Sequence, residues 1–100
     1  MTYRNGGIAN TAGGSFTGAG AVVTLTLGFV PVSVEVFNST DAISWTKFYD
    51  MAATVTKKET AASVQTADTG SAIVINSDGT VTLSATLAAN GKVCSWVARG

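Results

Sequence analysis

The chain has no histidine, a single cysteine and a single proline. Each scarcity removes a class of chemistry. Without imidazole there is no side chain that titrates near neutral pH unaided, and no histidine-ligated metal. Cys94, being alone, cannot form a disulfide within one chain. Charge is thin as well: six basic and six acidic side chains among 100 residues, 12% in all, cancel to zero. That is about half the share usual in a soluble domain. No surplus of Lys and Arg is present to neutralise phosphates, so no nucleic-acid partner is expected. Threonine and glycine interrupt every apolar run well short of the ~20 residues a spanning helix needs, so no membrane partner is expected either. The first residues, Met1 to Gly7, lack the apolar block of an export signal, and synthesis and use without Sec export are expected.

Hydrophobic residues make up 46% of the chain, and net charge is zero, a composition that argues against disorder. Its length suits one domain. Six of its eleven glycines fall within residues 1–20. Such a stretch loses much entropy on ordering. It is expected to be a flexible arm with one short strand near Ser15 to Gly18. Alternatively it is an extended latch that orders against a partner, with Tyr3, Arg4, Ile8 and Phe16 as its candidate contacts. Residues 21–100 would then be the folded domain.

From Ala21 onward the dominant signal is period-two alternation. Val23, Leu25 and Leu27 share a face. Gly28-Phe29-Val30-Pro31 breaks the run, and Pro31 belongs at a strand start or edge because it has no N–H to donate. Val32, Val34 and Val36 make the next apolar face, closed by the turn cluster Asn38-Ser39-Thr40-Asp41. Ile43, Trp45 and Lys47 fall on one face of a third strand. Asp50 to Ala53 suggests a turn or short helix, and Lys57-Lys58-Glu59-Thr60 a solvated loop. Ser63 to Thr66 is a possible short strand. Ala72 to Ile75 leads into the turn Asn76-Ser77-Asp78-Gly79. A strand over Thr80 to Leu87 follows, then a tight Asn90-Gly91 hairpin of type I′, then a last strand over Val93 to Ala98. The sum is an all-β protein, a small antiparallel β-sandwich or barrel of six to eight short strands with an extended N-terminal arm.

Signals for catalysis, metal or cofactor binding are absent from this pattern. Asp41, Asp50, Asp68 and Asp78 lie at turns, where aspartate bonds local backbone. Asn76-Ser77-Asp78-Gly79 lacks the remaining oxygen ligands of a calcium loop. The early glycines have no Gly-Lys-Ser/Thr after them, so they do not read as a phosphate loop. No basic neighbour within its strand would activate Cys94, which reads as a small buried hydrophobe. Phe29, Pro31, Trp45 and Trp96 are candidate core or subunit contacts. Trp45 or Trp96 could instead form a sugar-binding platform. A free monomer usually carries a charged, mixed surface. This threonine- and alanine-rich chain leans toward life packed against other subunits.

Gly28-Phe29-Val30-Pro31, Val34-Glu35-Val36, the Asn38 and Thr40-Asp41 turn, Trp45 to Met51, and the closing Gly91 to Ala98 with Trp96 together resemble the small virion structural proteins of tailed bacteriophages. The likeness spans roughly residues 21–99. It departs from the family at Asp50, where a glycine is frequent, and at Cys94. It implies a non-enzymatic role without cofactors, as a capsid decoration (cement) protein. Its partners would be the major capsid protein and further copies of itself, as a homotrimer. It would be made in the bacterial cytoplasm and end on the capsid surface of the virion. A tail, baseplate or fibre component is the alternative the same resemblance allows; a carbohydrate- or surface-binding module using Trp45 or Trp96 is a second alternative, read from those residues themselves.

Overall fold

The computed structural model describes residues 10–100, and every structural statement below concerns these. Nine strands form: β1 (Thr11–Thr17), β2 (Val23–Thr26), β3 (Ser33–Asn38), β4 (Ile43–Phe48), β5 (Thr56–Glu59), β6 (Gln65–Asp68), β7 (Ile73–Ile75), β8 (Thr80–Leu83) and β9 (Val93–Arg99). They assemble into two antiparallel sheets. The larger has six strands in the order β1-β9-β3-β4-β5-β6, and the smaller has three in the order β2-β8-β7. The chain is all-β, as its alternation requires, with one strand more than the upper expectation of eight.

The core lies between the sheets. Val34 and Val36 of β3, Trp45 of β4 and Cys94 and Ala98 of β9 meet Ile73, Val81 and Leu83 of the small sheet, with Ala72 and Leu87 completing the cluster. Period two explains the choice: Val34, Val36 and Asn38 are buried, while Glu35 and Phe37 between them are exposed. Register carries the pattern across strands. Val36 faces Trp45 on one side and Trp96 on the other, and Trp96 in turn faces Gly14. A Cβ on Gly14 would stand 3.2 Å from the Trp96 indole nitrogen. The missing side chain of Gly14 therefore leaves room for the Trp96 ring.

Four sequence expectations change. The supposed loop Lys57 to Thr60 begins with the strand β5, pairing with β4 and β6; Trp45 faces Lys58 there. Its alternation is hidden because Lys58 turns inward beside the Trp45 ring, its Nζ 5.7 Å from the ring centre. The strand expected over Thr80 to Leu87 stops at Leu83. Ser84 ends it: its Oγ accepts the Leu87 N–H, and its carbonyl accepts the Ala88 N–H, so the chain makes one turn that buries Leu87 and Ala88. Asn90-Gly91 therefore links no β8–β9 hairpin, since β8 pairs with β2 and β7 while β9 pairs with β1 and β3. Only Gly91 has positive φ there, the pattern of a type II rather than a type I′ turn. The arm also changes. β1 spans Thr11–Thr17 and pairs with β9 throughout, so this half of the 1–20 segment is integral to the large sheet and not a flexible arm.

Other turns behave as read. The Asp41 N–H donates to Asn38 Oδ1 at 2.9 Å, and Thr80 N–H and hydroxyl both reach Asp78 Oδ1. Gly79 takes φ +85°, where a side chain is strained. Asp50 to Ala53 makes turns, not a helix.

Candidate functional site

Two kinds of site were open: a cleft with convergent polar groups, or a surface. The carboxylates do not converge. Asp41 binds Lys92 at 3.2 Å and also accepts from Asn38. Asp68 accepts the Gly70 N–H, and Glu35 lies 3.7 Å from Arg99 across the large sheet. Thr80, through its hydroxyl and amide, holds the Asp78 carboxyl below its ordinary range. Among the described residues no group of three or more His, Cys, Asp or Glu could hold a metal ion. Cys94 is fully buried. Burial, and then the negative charge of Asp41, push its thiol up, away from the thiolate a nucleophile needs. No helix among the described residues is long and apolar enough to cross a membrane.

The sequence-derived contact residues sort themselves by burial. Pro31 is fully buried, and Trp45 is buried in the core. Trp96 and Phe16 are half-buried and pack against it from β9 and β1. Phe29 is half-buried, close to the chain end: a Cβ on Gly100 would stand 2.8 Å from its ring. Tyr3, Arg4 and Ile8 lie outside the described residues. Trp45, 4% exposed, cannot offer a ring face to a sugar, and its indole Nε1 is buried without a hydrogen-bond partner. The Trp96 ring lies over Gly14 on the inner face of the sheet.

What the structure does present is the outer face of the large sheet. The odd members of β9 (Val93, Ser95, Val97, Arg99) lie beside Ser33, Glu35 and Phe37 of β3. Ser44, Thr46 and Phe48 of β4 continue the surface, followed by Lys57 and Glu59 of β5. Hydroxyl, apolar and charged side chains share it equally, four of each, and its four charges cancel. Phe37 is 46% exposed, Phe48 49% and Val93 45%. At one end Val32 and Tyr49, both more than half exposed, join Phe48, Ser33 and Asp50 around an open hollow. Tyr49 N–H donates to the Val32 carbonyl at 2.9 Å, which holds the two segments together. Sequence reasoning passed over Phe37, Phe48 and Tyr49, although alternation already places Phe37 and Phe48 opposite the buried valines and tryptophan.

Lys47 is the other residue whose role was missed. Alternation puts it on the Trp45 face, which is the core face, and it is only 3% exposed. Its Nζ donates to the carbonyls of Ala52 and Val55, both at 2.6 Å, and more weakly to Ala53 at 3.4 Å. Burial draws its pKa below the ordinary 10.5. The ammonium thus ties down the loop from Asp50 to Val55, beside the Phe48–Tyr49 end of the outer face.

Comparison of the chain with protein-family models, curated proteins and solved structures finds no match.

Proposed function

We propose that the protein is a non-enzymatic virion structural protein of a tailed bacteriophage, a capsid decoration protein that docks on the outside of the assembled shell and stabilises it. The observation that carries this reading is the outer face of the large sheet. It is broad, its charges balance, and it keeps Phe37, Phe48 and Val93 about half exposed. A soluble surface ordinarily avoids large apolar side chains gathered on one face, whereas a docked one benefits from them. The virion resemblance of residues 21–99 supplies the partner.

The mechanism is linkage. A protein that binds the assembled shell and not its separated subunits stabilises the shell by RT ln(1 + [L]/Kd), about 2.7 kcal/mol per site when free protein is a hundredfold above Kd. Apolar and main-chain contacts would carry that affinity, so occupancy should vary little with salt. Copy number in purified particles, measured by quantitative mass spectrometry against the main shell protein, tests the assignment. Abundance comparable to the shell protein is the expected result. A handful of copies per particle would overturn it in favour of a tail, baseplate or fibre component.

A further inference from the structure

The two flanks of the sandwich differ. On one flank the small sheet is tied to the large one. Thr56 Oγ1 of β5 accepts the Ile73 N–H at 3.2 Å, and Ser71 N–H donates to the Thr54 carbonyl at 3.0 Å. On the other flank are the free edges of β1 and β2, and among the described residues no strand pairs with either outer edge. Phe16, Val23 and Leu25 remain only partly buried on these two strands.

β1 is the unusual edge. Natural edge strands are kept short, or carry charge, proline or a bulge, because an open ladder pairs with other chains. β2, β6 and β7 obey this with three or four residues each, whereas β1 has seven, Thr-Ala-Gly-Gly-Ser-Phe-Thr, with no charge and no proline. Its phase is fixed at both ends. Gly100 N–H donates to the Asn10 carbonyl and Gly18 N–H to the Lys92 carbonyl, so the even residues bond to β9. The odd residues Thr11, Gly13, Ser15 and Thr17 therefore aim their N–H and C=O groups outward, and all four are exposed.

We infer that β1 is a self-association edge, at which the β1 strands of two copies pair antiparallel about a two-fold axis through Gly14. In that register Thr11 of one copy faces Thr17 of the other and Gly13 faces Ser15. All four outward residues on each side exchange both backbone hydrogen bonds. No like charges meet, and the central pair, Gly14 with Gly14, carries no side chain. The occupant is a second copy because the edge is complementary to itself in sequence, and because pairing would also cover Phe16 and Leu25 on both copies. The flank measures about 23 Å along the strand and about 20 Å across two sheets with their side chains. That flat footprint, about 460 Å², is below the ~800 Å² per partner of a standard interface, so the pairing is expected to depend on concentration. Such an isologous contact closes at two copies, unlike the homotrimer implied by the resemblance. The inference is independent of the shell-docking proposal.

Hydrogen exchange on the full chain tests it directly. The amides of Thr11, Gly13, Ser15 and Thr17 should gain about tenfold protection or more on going from dilute to concentrated protein, while those of the even residues stay unchanged. Sedimentation should show twice the mass of one chain at high concentration. Thr11→Glu/Thr17→Glu, which brings two like-charged pairs into the joint at exposed positions and sets the carboxylate at position 11 across from Arg99, should leave a monomer with an unaltered melting curve. A monomer at every concentration, a threefold mass, a dimer that survives the double substitution, or edge protection independent of concentration would each overturn the inference.

Discussion

Replacing Lys47 by methionine keeps most of the stem's volume and removes only the ammonium. Two hydrogen bonds of 2.6 Å, to Ala52 and Val55, and a weaker one to Ala53 disappear. Hydrogen bonds from a charged donor contribute about 1.5–3 kcal/mol each. Two effects reduce the net. The carbonyls belong to a loop whose Ala52 and Ala53 are exposed, so water takes over part of the bonding. The substitution also removes the cost of burying the charge. A net loss of about 2 kcal/mol is expected, which lowers the melting temperature of a domain this size by roughly 8–16 °C. The pH dependence carries the sharper signature. Because burial lowers the folded-state pKa of Lys47 below 10.5, the unfolded chain holds more protons between those two values. Wild-type stability from this group therefore rises with pH through that window. The gap between wild type and Lys47→Met should be smallest near neutrality and largest above about 10.5. Urea unfolding of both proteins across that range measures it. A gap that shrinks with rising pH, or a neutral-pH difference near zero, would refute the reasoning.

Three further outcomes are expected. Thr56→Val should cost about 1–3 kcal/mol, because the Ile73 N–H loses its buried acceptor; Thr56→Ser should restore most of it in the same urea titration. Gly79→Ala and Gly91→Ala both place a side chain at positive φ, about 1–2 kcal/mol each, but only at Gly79 would the new Cβ come within 3.2 Å of a backbone nitrogen, that of Phe29. Gly79→Ala should therefore lower the melting temperature more, and equal effects would contradict the contact. Cys94 should resist thiol reagents in the folded protein and react fully once it is denatured, and prompt labelling under native conditions would contradict its burial.

Alternation made most of the fold legible. The valines of β3, the Leu83–Val81 face of β8 and the turn at Asn76 to Gly79 follow from period two and turn chemistry alone. Failures came where a second influence overrode the pattern. β5 reads as a charged loop because Lys58 is held by an aromatic ring and Thr56 by a backbone bond, neither visible as hydrophobicity. The Thr80 to Leu87 run has perfect alternation, yet Ser84 captures the next turn's N–H groups and bends the chain. β1 was obscured by its glycines, whose low strand propensity conceals that Gly14 makes room for Trp96. At the candidate site, the tryptophans drew attention as chemically distinctive residues, and both belong to the interior side of the sheet.

Burial constrains only one half of each alternating strand; the other half is left free for whatever the surface must do. In the large sheet this free half could have been filled with lysine and glutamate at little energetic cost, as solubility favours. Instead the positions on β3, β4 and β9 are mostly serine, threonine, valine and phenylalanine, with Glu35 and Arg99 close enough to neutralise each other. Core packing does not explain these choices, since none of the side chains faces the core. They are what a face needs if it is to lose its water against another surface, because a hydroxyl or an aromatic ring is cheaper to desolvate than an ammonium or a carboxylate. The proposed docking face and the β1 edge adjoin, since Thr11 and Thr17 stand across from Arg99 and Val93 of β9. If the proposed docking holds, substitution at Phe37 or Phe48, on β3 and β4 and away from that edge, should weaken attachment to the shell and leave the mass of the free protein unchanged, whereas charges at Thr11 and Thr17 should abolish the doubled mass.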